Sequence, residues 1–342
     1  MNKLNDNIVA RWGALFIVAF TMMAAYYVND VMAPLKSMLE EDLRWSSSDF
    51  GIFTGAYSFL NVFLLMLIWG GLILDRFGIR FTGKLAVVLM VLGTSMEYYA
   101  ITVLGGTQDI LFGFKKDVLI ASAGYSIFGV GAEVAGITVT KIIAKWFHGK
   151  EMALAMGIQV ALARIGSQAA YAVAIPVANA YSLPTPLFIG LILLFGGMIS
   201  FICFTFMDKK LDKQVKLDDN SSAEDKFSFK DVKAVISNKV FWLIAILCVL
   251  FYSCVFPFQK FATELMTTKY GVSESIAGTF AGLPALGALI LTPIFGGFID
   301  KKGKAASIMM FGAMLLILVH GIYSIPFIKA QWVAIGLMII LG

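Results

Sequence analysis

The sequence predicts an all-α membrane protein of two pseudo-symmetric six-helix halves, the second of which is incomplete. Three observations support this fold class. Of the 342 residues, 59% are hydrophobic and only 14% are charged, whereas roughly a quarter of the residues in soluble domains are charged. Apolar runs near the ~20 residues that cross a bilayer follow one another along the chain, and one short motif occurs in both halves. This composition excludes a soluble globular protein.

The apolar runs predict nine full transmembrane helices and the start of a tenth, which opens at Gln331. The nine are 12–35, 49–73, 82–104, 117–143, 151–178, 184–207, 239–268, 274–298 and 305–328. The first run is longer than the apolar part of a cleavable signal peptide, so it is predicted to be a retained helix. The tenth stops in mid-span at Gly342, where its last carbonyl groups would lack partners in hydrocarbon. The sequence is therefore expected to lack its C-terminal part.

Lysine and arginine are distributed unequally over the loops between these helices. Nineteen of the 27 fall on one set of alternate loops and helix ends, seven on the other, and Arg164 lies inside the fifth helix. Because cytoplasmic loops are enriched in both residue types, the N-terminus and the segment 208–238 are predicted to be cytoplasmic. That polar segment is interpreted as a linker. It joins an N-terminal six-helix bundle, 1–207, to a C-terminal bundle, 239–342, that holds helices seven to nine and the start of helix ten.

A motif of glycine and charged residues ends helices two and eight. Residues 71–78 read GLILDRFG and residues 296–303 read GGFIDKKG, so both fit G-x-x-x-D-[RK]-x-G. Each of these helices also opens with serines and an acid, as helix N-termini do. Parallel halves related by an axis along the membrane normal are the architecture of major facilitator transporters, and the motif resembles the cytoplasmic signature of that superfamily.

This resemblance implies alternating access, with the motif as a gate latch whose ion pairs form in one access state and break in the other. The residues it assigns to the gate are Gly71, Asp75, Arg76, Gly78 and Arg80 in the first half, and Gly296, Asp300 and Lys301 in the second. The alternative is that these charges only anchor the protein at the cytoplasmic membrane surface.

Two charged residues lie near the middle of predicted helices, where charges are costly and functional by default. Glu133 lies in the helix 117–143 and Arg164 in the returning helix 151–178, so they reach similar depth from opposite directions and can face one cavity. Gln168 follows Arg164 on the same helix face. One interpretation is a structural ion pair. The other is a zwitterion site, in which Glu133 binds an ammonium group and Arg164 binds a carboxylate.

Further polar and aromatic side chains follow helical spacing and are predicted to complete the substrate site. They are Tyr26 and Asp30 on helix one, Tyr57 and Asn61 on helix two, and Tyr252, Phe256 and Gln259 on helix seven. Tyr26 also fits an alternative role as an interfacial tyrosine. Four ionisable residues lie in the outer parts of helices: Glu97, Lys260, Glu264 and His320. These four are predicted to snorkel to the interface, with a proton relay as the alternative.

Three segments of helices four and five carry a more specific pattern. They are GYSIFGVGAE at 124–133, KWFHGKE at 145–151 and ARIGS at 163–167. These segments resemble the major facilitator superfamily domain-containing protein 1 family, whose animal members are lysosomal dipeptide uniporters. The resemblance implies that Glu133 and Arg164 belong to a peptide site. The N-terminal tail, 1–10, has no acidic dileucine sorting signal, which favours a bacterial inner membrane.

The predicted function is uniport of small solutes, most specifically dipeptides, by alternating access. A proton-coupled symporter of organic anions or sugars is the alternative. Three cysteines in apolar stretches and two histidines predict neither a disulfide framework nor a metal site, and no cofactor is expected. The sequence shows no nucleophile and base of an enzyme, and its basic residues are not clustered for nucleic acid. The expected partners are a small-molecule substrate and the lipid bilayer, and no motif specifies an accessory subunit.

Overall fold

The computed structural model describes residues 4–218, 235–291 and 305–342, which are almost entirely helical. The helices are α1 (Ile8–Val31), α2 (Lys36–Asp42), α3 (Ser47–Phe63), α4 (Met66–Val103), α5 (Lys116–Trp146), α6 (Met152–Ala180), α7 (Thr185–Asp218), α8 (Lys239–Thr268), α9 (Glu274–Ala281), α10 (Ala305–Ser324) and α11 (Gln331–Leu341). Residues 283–291 continue α9 as helix after a turn at Gly282. Within the described part of the chain, eight helical stretches are long and apolar enough to cross a membrane. The predicted all-α membrane fold is confirmed.

One small element was not predicted. Two-residue strands β1 (Ile110–Leu111) and β2 (Phe114–Lys115) pair antiparallel between α4 and α5. The connecting Phe112 and Gly113 both have positive φ, 51° and 85°, which is the backbone that tight hairpin turns require.

The helix predicted over 49–73 is broken in the structure. Leu65 adopts left-handed backbone, with φ 51°, between the end of α3 and the start of α4. α4 then runs without a loop through the predicted gap at 74–81, and its one non-helical residue is Gly78 (φ 75°, ψ 172°). Glycine adopts a positive φ at no steric cost. A hydropathy profile cannot detect a break between leucines, which explains the difference.

The start of α3 is fixed by a capping box. The backbone N–H of Asp49 donates to the Ser46 hydroxyl at 3.1 Å, and the Ser46 N–H donates to the Asp49 carboxylate at 2.8 Å. Both backbone donors are thereby satisfied, as the run of serines before an acid predicts. At α9, Ser273 occupies the N-cap position, but its side chain makes no capping hydrogen bond to the helix backbone.

Ion pairs mark two ends of the helix bundle. Arg11 at the start of α1 pairs with Glu151 before α6 at 2.9 Å, and we call this the basic end. Lys115 pairs with Asp49 at 3.0 Å where α3 and α5 begin, and we call this the opposite end. α1, α6 and α8 run from the basic end to the opposite end, and α5 runs in the reverse direction.

The basic end of α7 is held by a buried carboxylate. Asp208 is fully buried, accepts from Lys145 Nζ at 2.7 Å and from Trp146 Nε1 at 3.1 Å, and lies 3.3 Å from Arg80. Asp212, one turn later, pairs with the same two cations at 2.6 and 2.7 Å. The first bundle was predicted to end at residue 207, but α7 continues beyond it because these charges bind the bundle rather than solvent.

Close packing of α4 and α5 positions the centre of the first half. A Cβ on Gly124 would lie 2.6 Å from the carbonyl oxygen of Gly93, so the two backbones nearly touch. Small residues allow this approach between membrane helices. Phe53 on α3 stacks on Tyr125 of α5, with ring centroids 4.9 Å apart. α5 is thereby fixed against both neighbours.

The first half, 4–218, and the second half, 235 onward, meet near the opposite end. The Tyr171 phenol donates to the Gln259 carbonyl at 3.1 Å, and the Phe50 ring packs edge-on against Phe261 with centroids 5.4 Å apart. The buried residues of α8 all fall within 262–266. Among the residues described, the contacts of α8 with the first half are therefore concentrated at the opposite end.

Candidate substrate cavity

A cavity of about 560 Å³ lies between α1, α3 and α5 of the first half and α8 of the second. Its volume falls in the ~300–1,000 Å³ range of small-molecule sites. Its polar and charged side chains are Tyr26, Asn29, Thr54, Tyr57, Ser58, Tyr125, Glu133 and Lys260. The formal charges at the described wall are one carboxylate from the first half and one ammonium from the second.

Glu133 is held in the cavity wall by a tyrosine. The phenol of Tyr57 donates to Glu133 Oε1 at 2.9 Å, which leaves Oε2 for a ligand. α3 reaches α5 at this level because Gly129 has no side chain. A Cβ at Gly129 would lie 2.4 Å from the Tyr57 carbonyl oxygen. The sequence thus positions one carboxylate, with one phenol donor, at the middle of a membrane helix.

Arg164 on α6 does not line this cavity. The structure contains no ion pair between the described side chains of Arg164 and Glu133. The phenol of Tyr26, which lines the cavity, is within electrostatic range of both charges. The two opposite charges therefore lie near one phenol without forming an ion pair with each other among the described side chains.

The remaining predicted substrate residues fall into two groups. Tyr26, Tyr57 and Phe256 line the cavity, and Tyr252 stacks on Phe256 with ring centroids 5.1 Å apart. Tyr252 and Phe256 are about half exposed, so they form an aromatic rim on α8.

Asn61 and Gln168 lie outside the lining of the cavity. Asn61 donates to the Tyr57 carbonyl at 3.3 Å, and Gln168 donates to the Thr279 carbonyl of the second half at 3.4 Å. The side-chain oxygens of both residues are buried, with no hydrogen-bond partner among the described residues. Gln168 thus joins the two halves in this conformation.

Of the cluster at the opposite end of the cavity, only Asp30 was among the residues predicted from helical spacing to face the site. Lys260 Nζ donates to the Asn29 carbonyl at 2.6 Å, pairs with Asp30 at 3.0 Å and lies 3.4 Å from the Tyr125 hydroxyl. Tyr125 in turn donates to the Asn29 carbonyl at 2.7 Å. The prediction that Lys260 snorkels to the interface is wrong, because its ammonium group is bound inside the protein.

Glu264, one turn beyond Lys260, pairs with Lys36 of α2 at 2.9 Å. It too binds the other half rather than the interface. Glu97 on α4 is fully buried, and neither of its carboxylate oxygens has a partner in the described part of the chain. Snorkelling is therefore wrong for Glu97 as well. The sequence showed only that these residues lie near the ends of helices. That position does not indicate whether a side chain faces lipid or a neighbouring helix.

The predicted gate residues of the first half lie at the basic end. Asp75 pairs with Lys141 of α5 at 3.0 Å, the Arg76 guanidinium lies over the Phe77 ring at 5.5 Å, and Arg80 belongs to the Asp208 network. Within the described residues, these partners belong to the first half. The Gly296, Asp300 and Lys301 of the second motif lie outside the described residues.

The glycines of the first motif differ in their surroundings. Gly78 supplies the backbone break in α4. A Cβ on Gly71 would meet no described atom within 4 Å, whereas a Cβ on Gly70 would lie 2.7 Å from Val134 Cγ2. At the level of the motif, the close contact between α4 and α5 is therefore made at Gly70 in this conformation, not at Gly71.

Replacing Gly129 with alanine is expected to destabilise the protein by about 1–3 kcal/mol, as overpacking does. The new Cβ would press on the Tyr57 carbonyl and move α3, and with it the phenol that binds Glu133. Thermal unfolding in detergent measures the loss. The matched control is Gly136→Ala on the same helix, where the nearest described atom, Met22 Cε, is 3.9 Å from the Cβ position. Equal losses in the two variants would contradict the packing argument.

A sequence profile of the Major Facilitator Superfamily matches residues 14–342. The chain belongs to the Major Facilitator Superfamily. Two solved structures share its fold, a D-xylose-proton symporter (TM-score 0.58, 14% identity, covering 96% of this chain and 79% of that one) and the partially occluded inward-open xylose transporter XylE from E. coli (TM-score 0.67, 16% identity, 97% and 80%).

Curated relatives of this superfamily member are described as lysosomal dipeptide transporter MFSD1. The protein from Pongo abelii is 26% identical over 313 residues, which cover 87% of this chain and 63% of that protein. The Homo sapiens protein is 27% identical over 304 residues, 85% and 61%, and the Danio rerio protein is 26% identical over 345 residues, 97% and 71%. The predicted resemblance to this narrower family is confirmed. The chain spans about 61–71% of the length of these relatives.

Proposed function

We propose that this membrane protein transports dipeptides by alternating access, as a uniporter. The observation that carries the proposal is Glu133, a carboxylate with one free oxygen at the wall of a 560 Å³ cavity. Tyr26 lies within range of both Glu133 and the Arg164 guanidinium. A zwitterion presents its ammonium group to Glu133, and the positive charge of Arg164 attracts its carboxylate into the cavity. The relatives are described as lysosomal dipeptide transporters, which supports the same substrate class.

The contacts between the halves support alternating access. They lie near the opposite end among the described residues, while the buried part of α8 is confined to 262–266. We infer that this conformation is closed at the opposite end. The lysine and arginine bias of the loops supports a cytoplasmic position for the basic end. A bacterial inner membrane is the proposed location.

A proton-coupled symporter of sugars or organic anions is the second candidate, and one observation favours it. Glu97 is buried with both carboxylate oxygens unpartnered among the described residues, and buried carboxyl groups within membrane helices mark the proton relays of coupled transporters. The xylose transporters among the solved structures are under 25% identical and support the fold alone.

Dipeptides are expected to stabilise the purified full-length protein against thermal unfolding, whereas single amino acids stabilise it weakly and xylose does not. A ligand that binds only the folded state adds about 2.7 kcal/mol of stability at a hundredfold excess over Kd. The measurement is a thermal-shift series with dipeptides, amino acids, organic acids and sugars at equal concentration. Stabilisation by a sugar or an organic acid and by no dipeptide would favour the second candidate.

A further inference from the structure

The two charges of the predicted zwitterion site, Glu133 on α5 and Arg164 on α6, both belong to the first half. A ligand held by these two alone would not act on the second half. A ligand shifts a conformational equilibrium only by contacts that differ between the two states. In the described part of the second half, the charged side chain at the cavity wall is Lys260. Lys260 is therefore the residue through which a charged solute can act on α8.

The ammonium group of Lys260 is fully occupied in this conformation. It has three N–H donors, and three oxygens lie within reach: the Asn29 carbonyl, Asp30 Oδ1 and the Tyr125 hydroxyl, at 2.6, 3.0 and 3.4 Å. The side chains of Lys260 and Asp30 are only 15% and 11% exposed. Removing the partner of a buried charge is costly unless another anion replaces it. A carboxylate that enters from the cavity can make that replacement.

A second ion pair acts in parallel, one helical turn away on α8. Glu264 pairs with Lys36 of α2 at 2.9 Å. The polarity is reversed: α8 offers a cation to Asp30 and an anion to Lys36. We call these two contacts, Lys260–Asp30 and Glu264–Lys36, the latch pairs. Both join the two halves at the opposite end, and of the four side chains only Lys260 also lines the cavity.

The axial separation of the two contacts on α5 is comparable to the length of a dipeptide. Glu133 follows Tyr125, which contacts Lys260, by eight residues, or about 12 Å of backbone along a helix axis. An extended dipeptide spans about 7 Å, and a charge-assisted hydrogen bond of ~2.8 Å at each end brings the total to about 13 Å. A single amino acid, at about 3.5 Å, is much shorter than this axial separation.

We propose, on the basis of the proposed function, that Lys260 binds the carboxylate of the transported zwitterion in exchange for Asp30 and so couples substrate binding to release of the Lys260–Asp30 latch pair. The ammonium group of the same solute stays at Glu133. Exchange of one anion for another keeps Lys260 paired, and loss of the contact with Asp30 leaves Glu264–Lys36 as the remaining latch pair. Occupancy of the cavity thus favours opening at the opposite end.

The carboxylate contact is tested by comparing alanyl-alanine with its C-terminal amide in binding to the full-length protein. The wild-type protein is expected to bind the free acid at least about tenfold more tightly than the amide. In Lys260→Gln this acid-to-amide ratio is expected to be at least about threefold smaller. Glu264→Gln is the matched control, because it breaks the other latch pair on the same helix outside the cavity. Its acid-to-amide ratio is expected to equal that of the wild type. A wild-type ratio in Lys260→Gln would overturn the contact.

The latch is tested by spin-label distances across the opposite end. Labels at the exposed Asp42 of α2 and Thr268 of α8 report the separation of the halves, after the three exposed cysteines have been replaced by serine: Cys203, Cys248 and Cys254. Without ligand, Lys260→Gln and Glu264→Gln are each expected to increase the population of the longer distance. An unchanged distance distribution in both variants would overturn the latch.

Two controls keep the outcomes distinguishable. Asp30→Asn removes the first-half partner of Lys260. It is expected to lengthen the spin-label distance and to raise the affinity for the free acid. A distance and an affinity both equal to those of the wild type would overturn the exchange, even if Lys260→Gln failed to fold. Binding of no dipeptide at all would remove the proposed function and the carboxylate contact, while the spin-label distances would still decide the latch. Equal binding of alanine and alanyl-alanine would contradict the length argument alone.

Discussion

Glu133→Gln is expected to lower dipeptide affinity by about ten- to a hundredfold. The amide still accepts the hydrogen bond from Tyr57, so the wall of the cavity keeps its shape, but it no longer offers a negative charge to the ammonium group of the peptide. Hydrogen bonds to charged groups contribute about 1.5–3 kcal/mol, and each 1.4 kcal/mol is tenfold in affinity. Titration of dipeptide against the purified variant measures the loss.

The control for this variant is Glu41→Gln, the same chemical change on an exposed residue of α2, which is expected to bind as the wild type does. Arg164→Gln is expected to weaken binding as well, because it removes a positive charge that attracts the peptide carboxylate into the cavity. A folded Glu133→Gln protein with unchanged dipeptide affinity would contradict the site. Loss of thermal stability together with binding would instead indicate a structural role.

A pH gradient is expected to leave the distribution of dipeptide unchanged. Uniport carries no proton, so equal concentrations of labelled dipeptide inside and outside proteoliposomes remain equal when the interior is made alkaline. A symporter that moves one proton with each peptide would instead accumulate peptide up to about tenfold for one pH unit, since that gradient is worth 1.36 kcal/mol per proton. The concentration ratio at steady state is the measurement.

The control is the same vesicle treated with a protonophore. Accumulation that disappears with the protonophore would contradict uniport and favour the proton-coupled alternative, while leaving the cavity and the peptide site in place. Glu97→Gln would then show whether the buried, unpartnered carboxyl carries the proton. In a uniporter this variant is expected to keep the wild-type flux at every pH tested.

Hydropathy and a repeated motif were sufficient to predict the helices and the two-half architecture, because the requirement for apolar spans is local in sequence. The position of Glu133 inside the protein was predictable for the same reason, because it is a charged residue in an otherwise apolar helix. Local patterns could not predict the break at Leu65 or the extension of α7 beyond residue 207. The first depends on a backbone conformation between apolar residues, and the second on Asp208 and its partners from other helices.

Contacts between the halves could not be predicted from helical spacing. Lys260 and Asp30 are 230 residues apart, and no periodicity relates positions on α1 to positions on α8. Their ion pair depends on the register of two bundles, which one sequence does not specify. For that reason Lys260 was interpreted as an interfacial residue, although it lies at the end of the cavity. The same limit applies to Arg164. Its depth in the membrane could be predicted from the sequence, but the sequence could not show whether it forms an ion pair with Glu133.

The initial rate of labelled dipeptide uptake into proteoliposomes, down the peptide gradient and without a pH gradient, measures dipeptide uniport through the Glu133 site. The wild-type protein is expected to show a saturable rate that excess unlabelled dipeptide suppresses and xylose does not. Glu133→Gln is expected to show a rate near that of protein-free vesicles at the same peptide concentration. Wild-type uptake no faster than that of protein-free vesicles, or equal uptake by wild type and Glu133→Gln, would contradict dipeptide uniport through this site.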